Sequence, residues 1–270
     1  MKKVVVFVLL TIFIGIQQNV YAKNKVKKIK LENISGEAIG GEAESLLEVK
    51  QRAVNNAKIN ALKEAGISEN IKTYTDYFQS ETDEEYEELF ASNIFTNIQG
   101  SVTEVEITNT RRSFTEDGML KVEVIINCTV LKYLTEDDLT FNYWVDGIKP
   151  NYNHNDLLEF SFKPASDGFL KAFIFTKTEA YQLFPNSLEK SRLLVKDNEY
   201  KFPLGRVNYR LETAKRSEMH RIVYVFMKED IPYTHSVNYK QIFDWIFSIP
   251  PDQREIKSFS FTVFNQEAAE

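Results

Sequence analysis

The chain has 270 residues, room for two ordinary domains, and its 43% hydrophobic and 27% charged residues are typical of a globular protein with a core of its own. A formal charge of −6 disfavours nucleic acid as a partner, because proteins that bind it usually present a basic face. The single cysteine, Cys128, excludes a disulfide within the chain.

Residues 1–22 have the pattern of a secretory signal peptide. Lys2 precedes an apolar run over 4–16, and the small residue Ala22 lies just before the expected cleavage site at Lys23. The alternative is a membrane anchor, but this run is shorter than the ~20 residues that a spanning helix needs. We therefore expect cleavage, no spanning segment afterwards, and export to the periplasm, the outer membrane or the medium of a bacterium.

The first predicted domain, residues 23–138, has the element order β-α-β-α-β-β. Its clearest element is a helix over 42–65, in which small apolar residues recur three or four positions apart and so share one face. Gly66 then suits a left-handed C-terminal cap. The other predicted elements are a lysine-rich edge strand, a second strand, a helix with an acidic start and a long hairpin around a Glu-Asp-Gly turn: 23–30, 71–78, 82–97, 102–114 and 119–133.

Cys128 lies on the second strand of that hairpin, in register with the apolar residues Val122, Val124, Ile126 and Val130. This alternation predicts that the thiol is buried and packs as a small apolar group. A nucleophilic cysteine would need a histidine or a helix N-terminus nearby, and the sequence places neither beside it.

The second predicted domain, residues 139–270, is a β-sandwich of about eight strands with one short helix, so the fold class is α+β. At its centre, the segment 157–162 alternates apolar and polar residues as a half-buried strand does, and 169–176 is apolar on both sides. The remaining strands are predicted at 192–195, 200–202, 207–212, 222–227 and 256–264, and the helix at 239–247.

No motif in the sequence points to catalysis, a cofactor or a metal. His154, His220 and His235 lack the spacing of a zinc pair, and no nucleophile elbow, phosphate-binding loop or dinucleotide fingerprint is present. The acidic run 83–88 is interpreted as a helix start and the Asn-rich loop 151–156 as turns, rather than as calcium ligands. A triad or a glycosidase carboxylate pair that forms only in the folded chain is left open. We therefore expect a non-enzymatic protein without a cofactor, with a hydrolase as the third hypothesis.

Two binding functions rank ahead of catalysis. The first is an interaction or assembly module that binds another protein of the bacterial envelope. The second is a carbohydrate-binding sandwich for cell-surface glycan, although core or linker packing is the favoured explanation of its aromatic residues. Coplanar solvent-facing rings would support the second hypothesis, and an open sheet edge or an apolar patch would support the first. The candidate ligand-surface rings are Tyr143, Trp144, Tyr152 and Trp245.

Three short motifs resemble a bacterial domain of unknown function at the C-terminus of exported envelope proteins. Its hallmarks are a strand that begins Asp-Gly-aromatic-Leu, a strand that ends Leu-Phe-Pro-Asn, and an edge that carries Pro-x-Gly. The matching stretches are 167–170, 183–186 and 202–205, and the resemblance covers about 139–264. Phe169 stands where the family often has tyrosine. The resemblance implies a β-sandwich and brings no catalytic residues.

The helix over 42–65 is similar to the N-terminal domains of small outer-membrane lipoproteins and of the flagellar assembly protein T, in which an alanine-rich helix packs on a short sheet. Because no cysteine lies at the cleavage site, the lipid anchor of the lipoprotein members does not carry over, and no site residues do. The matching residues are Ala53, Ala57, Ala61, Leu62 and Gly66.

Overall fold

The computed structural model describes residues 26–41, 44–67, 99–176 and 179–268, which are mostly β-structure with two α-helices. The predicted strand at 71–78 and helix at 82–97 lie outside these residues, so the full element order of the first domain stays a prediction. The strands are β1 (Val26–Ile39), β2 (Gly100–Phe114), β3 (Leu120–Tyr133), β4 (Tyr143–Asp146), β5 (Asn151–Asn153), β6 (Phe160–Pro164), β7 (Phe169–Phe175), β8 (Ala180–Phe184), β9 (Tyr200–Phe202), β10 (Ser217–Met227) and β11 (Arg254–Phe264), and the helices are α1 (Leu46–Glu64) and α2 (Tyr239–Ser248).

Helix α1 covers one face of an antiparallel sheet with the order β1-β3-β2. The predicted helix is confirmed, with a start at Ser45 rather than at residue 42. The Ser45 hydroxyl accepts a hydrogen bond from the Glu48 N–H at 3.3 Å, and the Glu48 carboxylate accepts one from the Ser45 N–H at 2.6 Å. This reciprocal capping fixes where the helix begins. The predicted apolar stripe is buried against the sheet at Val49, Ala53, Ala57, Ala61 and Leu62.

Gly36 on β1 explains why that stripe consists of alanines. A Cβ atom at Gly36 would collide with the backbone nitrogen of Ala57 and the backbone oxygen of Ala53. The helix backbone therefore rests directly on the strand. Such a close approach requires methyl groups on the helix and no side chain on the strand at the crossing.

The predicted hairpin is confirmed as β2 and β3, joined by a tight turn in which Gly118 has a φ of +80°. The even-numbered residues of β3 from Val122 to Val130 are buried beneath α1. Cys128 is one of them, so its predicted burial is confirmed, and burial raises the pKa of its thiol.

The rest of the described chain is sandwich-like. A five-stranded sheet with the order β5-β11-β10-β7-β8 faces a three-stranded sheet with the order β4-β6-β9 across an aromatic core. The rings of Tyr143 and Phe162 stack at 4.7 Å, and those of Phe160 and Phe202 stack at 4.9 Å. The prediction of a strand buried on both faces over 169–176 is confirmed by β7.

Two predicted strands are wrong. The segments 192–195 and 207–212 each contribute one isolated bridge, between Gly168 and Leu194 and between Leu157 and Arg210. Asp197, with a φ of +62°, turns the chain away after the first segment. The second segment is held to 155–158 by three separated backbone hydrogen bonds, which do not continue into a ladder.

Several strands are absent from the prediction or differ from their predicted bounds. β1 extends to Ile39, well beyond the predicted edge strand at 23–30. β4 and β5 form within 139–155, a part of the second domain in which no strand is predicted. β10 begins at Ser217 rather than at residue 222, because its first residues pair with the last residues of β11 despite their polar side chains.

Helix α2 confirms the predicted helix at 239–247 and packs against both parts of the chain. Asn238 caps its start by accepting a hydrogen bond from the Gln241 N–H at 2.9 Å. One continuous apolar cluster joins α2 to α1, to β3 and to the outer face of β7 and β10. The Tyr133 hydroxyl of β3 donates a hydrogen bond to the backbone oxygen of Phe247. Neither described helix combines the length and the hydrophobicity needed to cross a bilayer.

Candidate functional site

A cleft of about 820 Å³ opens at one end of the sandwich. This volume lies within the ~300–1,000 Å³ of ordinary ligand pockets. One wall is the inner face of the five-stranded sheet, where Ile174 of β7, Tyr181 of β8 and His220 of β10 lie. The other wall is the extended segment 207–215. The cleft is therefore the gap that remains where the two layers of the sandwich are not in contact.

His220 lies at the buried floor of this cleft. It is 3% exposed, and in the described part of the chain neither of its ring nitrogens has a hydrogen-bond partner. Burial lowers the pKa of His220, so the ring is neutral at pH 7 and offers one donor and one acceptor. A buried polar group left unsatisfied costs about 1–3 kcal/mol, and most such groups have partners. The imidazole is therefore an unsatisfied polar group on the floor of the cleft, as far as the described residues go.

Glu218 precedes His220 by two residues on β10 and is held in its ionised form. Its carboxylate accepts hydrogen bonds from the Lys215 ammonium at 2.5 Å and from the Thr213 hydroxyl at 2.8 Å. Burial opposes ionisation, but these two donors outweigh it and hold the pKa of Glu218 below its ordinary value. The Glu218 carboxylate is therefore a fixed acceptor on the cleft wall.

His154 contributes a fixed donor from the opposite side. Its Nδ1 accepts a hydrogen bond from the backbone N–H of Thr213 at 3.1 Å. An imidazole nitrogen that accepts an N–H bond carries no proton, so the neutral ring has its proton on Nε2. Because His154 lines the cleft, that Nε2–H is a donor available to a ligand.

Two further carboxylates gather at the mouth of the cleft around Tyr181. The Tyr181 hydroxyl donates a hydrogen bond to the Glu179 carboxylate. That bond, together with the negative charges of Glu218 and Glu212, raises the pKa of Tyr181. We call Glu179, Glu212 and Glu218 the acidic corner. All three carboxylates line the cleft, and each lies near enough to the Tyr181 hydroxyl for its charge to act on it.

The cleft also runs along an open sheet edge. β8 is a terminal strand of its sheet and pairs only with β7 among the described strands. Three consecutive residues, Tyr181, Gln182 and Leu183, line the cleft. Successive side chains of a strand point to opposite faces, so a consecutive run indicates that the cleft follows the edge of the strand. The backbone groups on that edge are available to a further strand.

Glu189 fixes the separation of the two walls. It is 4% exposed, and its carboxylate accepts hydrogen bonds from the Leu204 N–H at 2.5 Å, the Tyr209 hydroxyl at 2.6 Å and the Asn186 amide at 2.9 Å. Asn186 follows β8, Leu204 lies just before the 207–215 wall, and Tyr209 is part of that wall. Burial, together with the Glu189 carboxylate, raises the pKa of Tyr209. This network brings together the motif stretches 183–186 and 202–205, which are separate in the sequence.

The four candidate ligand-surface rings do not form one surface. Trp144 is 60% exposed, whereas Tyr143, Tyr152 and Trp245 are at most 4% exposed, so the core packing that the sequence favours holds for these three rings and is wrong for Trp144. Tyr143 stacks in the aromatic core, and its hydroxyl donates to the backbone oxygen of Tyr224 at 3.1 Å. The Tyr152 hydroxyl accepts from the Lys149 N–H at 3.0 Å, and the Trp245 ring packs on Phe173 at 5.9 Å. A role for Trp144 in ligand binding stays a prediction.

Two of the histidines that look unrelated in the sequence line the same cleft. His154 and His220 both lie there, and His235 does not. The sequence analysis missed Glu218, Lys215 and Thr213, whose only signal is a cluster of polar residues before the apolar part of β10. Within the described ranges, no three His, Cys, Asp or Glu side chains lie close enough to hold a metal ion.

Comparison with known proteins adds no relative. No family model matches the chain, and no curated protein matches it significantly. The resemblances drawn from the short motifs therefore stay predictions.

Proposed function

We propose that this protein is a non-enzymatic, exported interaction module of the bacterial envelope that binds an extended segment of a partner protein in the sandwich-end cleft. The observation that supports the proposal best is that the cleft follows the open edge of β8. Three further parts of the proposal rest on the sequence patterns. They are export after cleavage at Ala22, the division into the domains 23–138 and 139–270, and the β-α-β-α-β-β order of the first domain.

An extended segment would join the five-stranded sheet as a sixth strand beside β8. In this mode of recognition, backbone hydrogen bonds supply affinity, and pockets for alternate side chains supply specificity. The cleft offers an apolar surface at Ile174 and Leu211 and fixed polar groups at Glu218 and His154. The side chain of Gln182 on β8 makes no hydrogen bond with the described residues, so its side-chain amide is available to the incoming segment.

The carbohydrate alternative has less support. It depends on two or three coplanar rings in solvent, whereas Trp144 is the single exposed ring of the four that suggested it. A glycan ligand is accordingly an outcome to be distinguished by experiment.

The test is site-specific photocrosslinking in intact cells. A benzoylphenylalanine residue replaces Gln182 on one wall or Val207 on the other, and the matched control replaces Leu188, which is 74% exposed and does not line the cleft. We expect one and the same protein to be captured from both walls and not from position 188. The purified partner should then slow hydrogen exchange at the β8 amides. Capture at all three positions alike, or of glycan alone, would overturn the proposal.

A further inference from the structure

Three carboxylates and two cationic side chains line the cleft, so its described lining carries a net negative charge. Lys215 is engaged by Glu218, and the Arg210 guanidinium donates to the backbone oxygen of Asn155 at 3.4 Å. Glu212 is exposed and makes neither a hydrogen bond nor an ion pair with the described residues. Among the described residues, the Glu179 carboxylate is bonded by a neutral group, the Tyr181 hydroxyl. Within the described part of the chain, two carboxylates of the acidic corner, Glu179 and Glu212, therefore form no ion pair.

The unpaired imidazole at the cleft floor is an independent sign that this corner receives a ligand. His220 is buried, and its Nε2 lies 3.6 Å from the Glu218 carboxylate, beyond hydrogen-bond distance. A neutral imidazole has one acceptor nitrogen, which could take an N–H bond from a cation. His220 at the floor of the cleft, and Glu179 and Glu212 at its mouth, thus offer hydrogen-bond acceptors to the same donor-rich group.

We infer that the partner segment carries an arginine or lysine side chain that enters the acidic corner, an inference that rests on the proposed function. The head group would donate to Glu212 and Glu179 at the mouth of the cleft. The aliphatic stem would lie along Ile174 and Leu211, as the stems of long basic side chains do on apolar surfaces. Arginine suits the site better than lysine, because its planar fork of donors can reach a carboxylate and an imidazole at once.

Synthetic peptides test this inference on the purified protein. The probes are blocked heptapeptides of alternating threonine and valine whose central residue is arginine, citrulline or glutamate. Citrulline matches arginine in shape and lacks its charge. Binding is followed by fluorescence anisotropy at low salt, and the β8 amides are followed by NMR. The Glu212→Gln variant removes one charge from the corner, and Glu159→Gln removes an exposed charge elsewhere.

We expect the arginine peptide to bind roughly tenfold more tightly than the citrulline peptide. The difference should shrink at high salt and in Glu212→Gln, and it should persist in Glu159→Gln. The charge inference would be overturned if the peptides shift the β8 amides but the arginine and citrulline peptides bind equally, or the glutamate peptide binds more tightly. The proposed function would then still stand. No shift at β8 with any peptide would count against both.

Discussion

The Nε2 atom of His220 lies 3.6 Å from the Oε2 atom of Glu218, although Glu218 is already satisfied by Lys215 and Thr213. The imidazole is therefore close to a negative charge without being bonded to it. It remains neutral and unpaired, and this arrangement should be visible in the stability of the protein.

The pH dependence of folding should report on His220. Burial holds the pKa of His220 below its ordinary value of ~6.5. Above that pH the ring is neutral in both states, so it makes no difference. As pH falls from ~6.5 through the folded-state pKa, the unfolded chain binds the proton first, and the free energy of unfolding falls. Urea unfolding between pH 5 and 8 should show this loss in the wild type and not in His220→Phe.

The same substitution should stabilise the protein at pH 8. His220→Phe removes two unsatisfied nitrogens and places an apolar ring beside Phe261, so we expect a gain of about 1 kcal/mol. The exposed His235 provides the control, since His235→Gln should keep the stability of the wild type at pH 8. A marked loss of stability at pH 8 in His220→Phe would show that the imidazole has partners in the folded protein.

Gly36→Ala should be strongly destabilising. The added methyl group collides with the backbone of α1 at Ala53 and Ala57, and neither contact can be relieved by a side-chain rotation. We expect the free energy of unfolding to fall by about 2–3 kcal/mol in urea titrations. Gly41→Ala is the matched control, because its methyl group would meet only the Glu44 side chain, at 3.4 Å. Similar losses in both variants would contradict the direct helix-on-strand contact.

Glu189→Gln should loosen the wall of the cleft. The amide that replaces the carboxylate cannot accept every hydrogen bond that now converges on Glu189, so a loss of about 2 kcal/mol is expected. Hydrogen exchange at Leu204 and Gly205 should rise more than exchange in β10. In the control Glu199→Gln, an exposed carboxylate loses one bond from Ser161, and the effect should stay within about 0.5 kcal/mol.

Asp230 should matter more than an ordinary surface acid. It accepts a hydrogen bond at 2.5 Å from Lys171, whose side chain is 3% exposed. Asp230→Asn leaves a buried ammonium without its counter-charge and should cost about 2 kcal/mol of unfolding free energy. Lys171→Met removes the buried charge itself and should be neutral or stabilising. The exposed pair of Lys121 and Glu37 supplies the comparison, and Glu37→Gln should change stability by less than about 0.5 kcal/mol.

The elements with strong local patterns could be predicted from the sequence. The spacing of the alanine stripe fits a helix, as seen in α1. The unbroken apolar run fits a strand that is buried on both faces, as seen in β7. The extended segment 207–212 was predicted as a strand because its residues favour one, but its partner 155–158 bonds to it only at intervals. Local preference does not determine whether a ladder forms.

The cleft could not be predicted, because its parts come from distant stretches of the chain. His154 and His220 become neighbours only after the 207–215 segment folds across the end of the sandwich. Glu189 carried no signal either, since a single glutamate in a polar loop is ordinary until its four donors are in place. For the same reason the sequence does not single out the one exposed ring of the four: residue type does not distinguish Trp144 from Trp245, and only packing does.

The position of α2 gives the two halves of the chain a shared source of stability. A fragment that began at residue 139 would keep α2 but expose the face of this helix that packs on α1 and β3. A fragment that ended at residue 138 would lose α2 and expose the surface that this helix covers. We therefore expect that neither half folds stably on its own, and that the intact chain melts in a single transition.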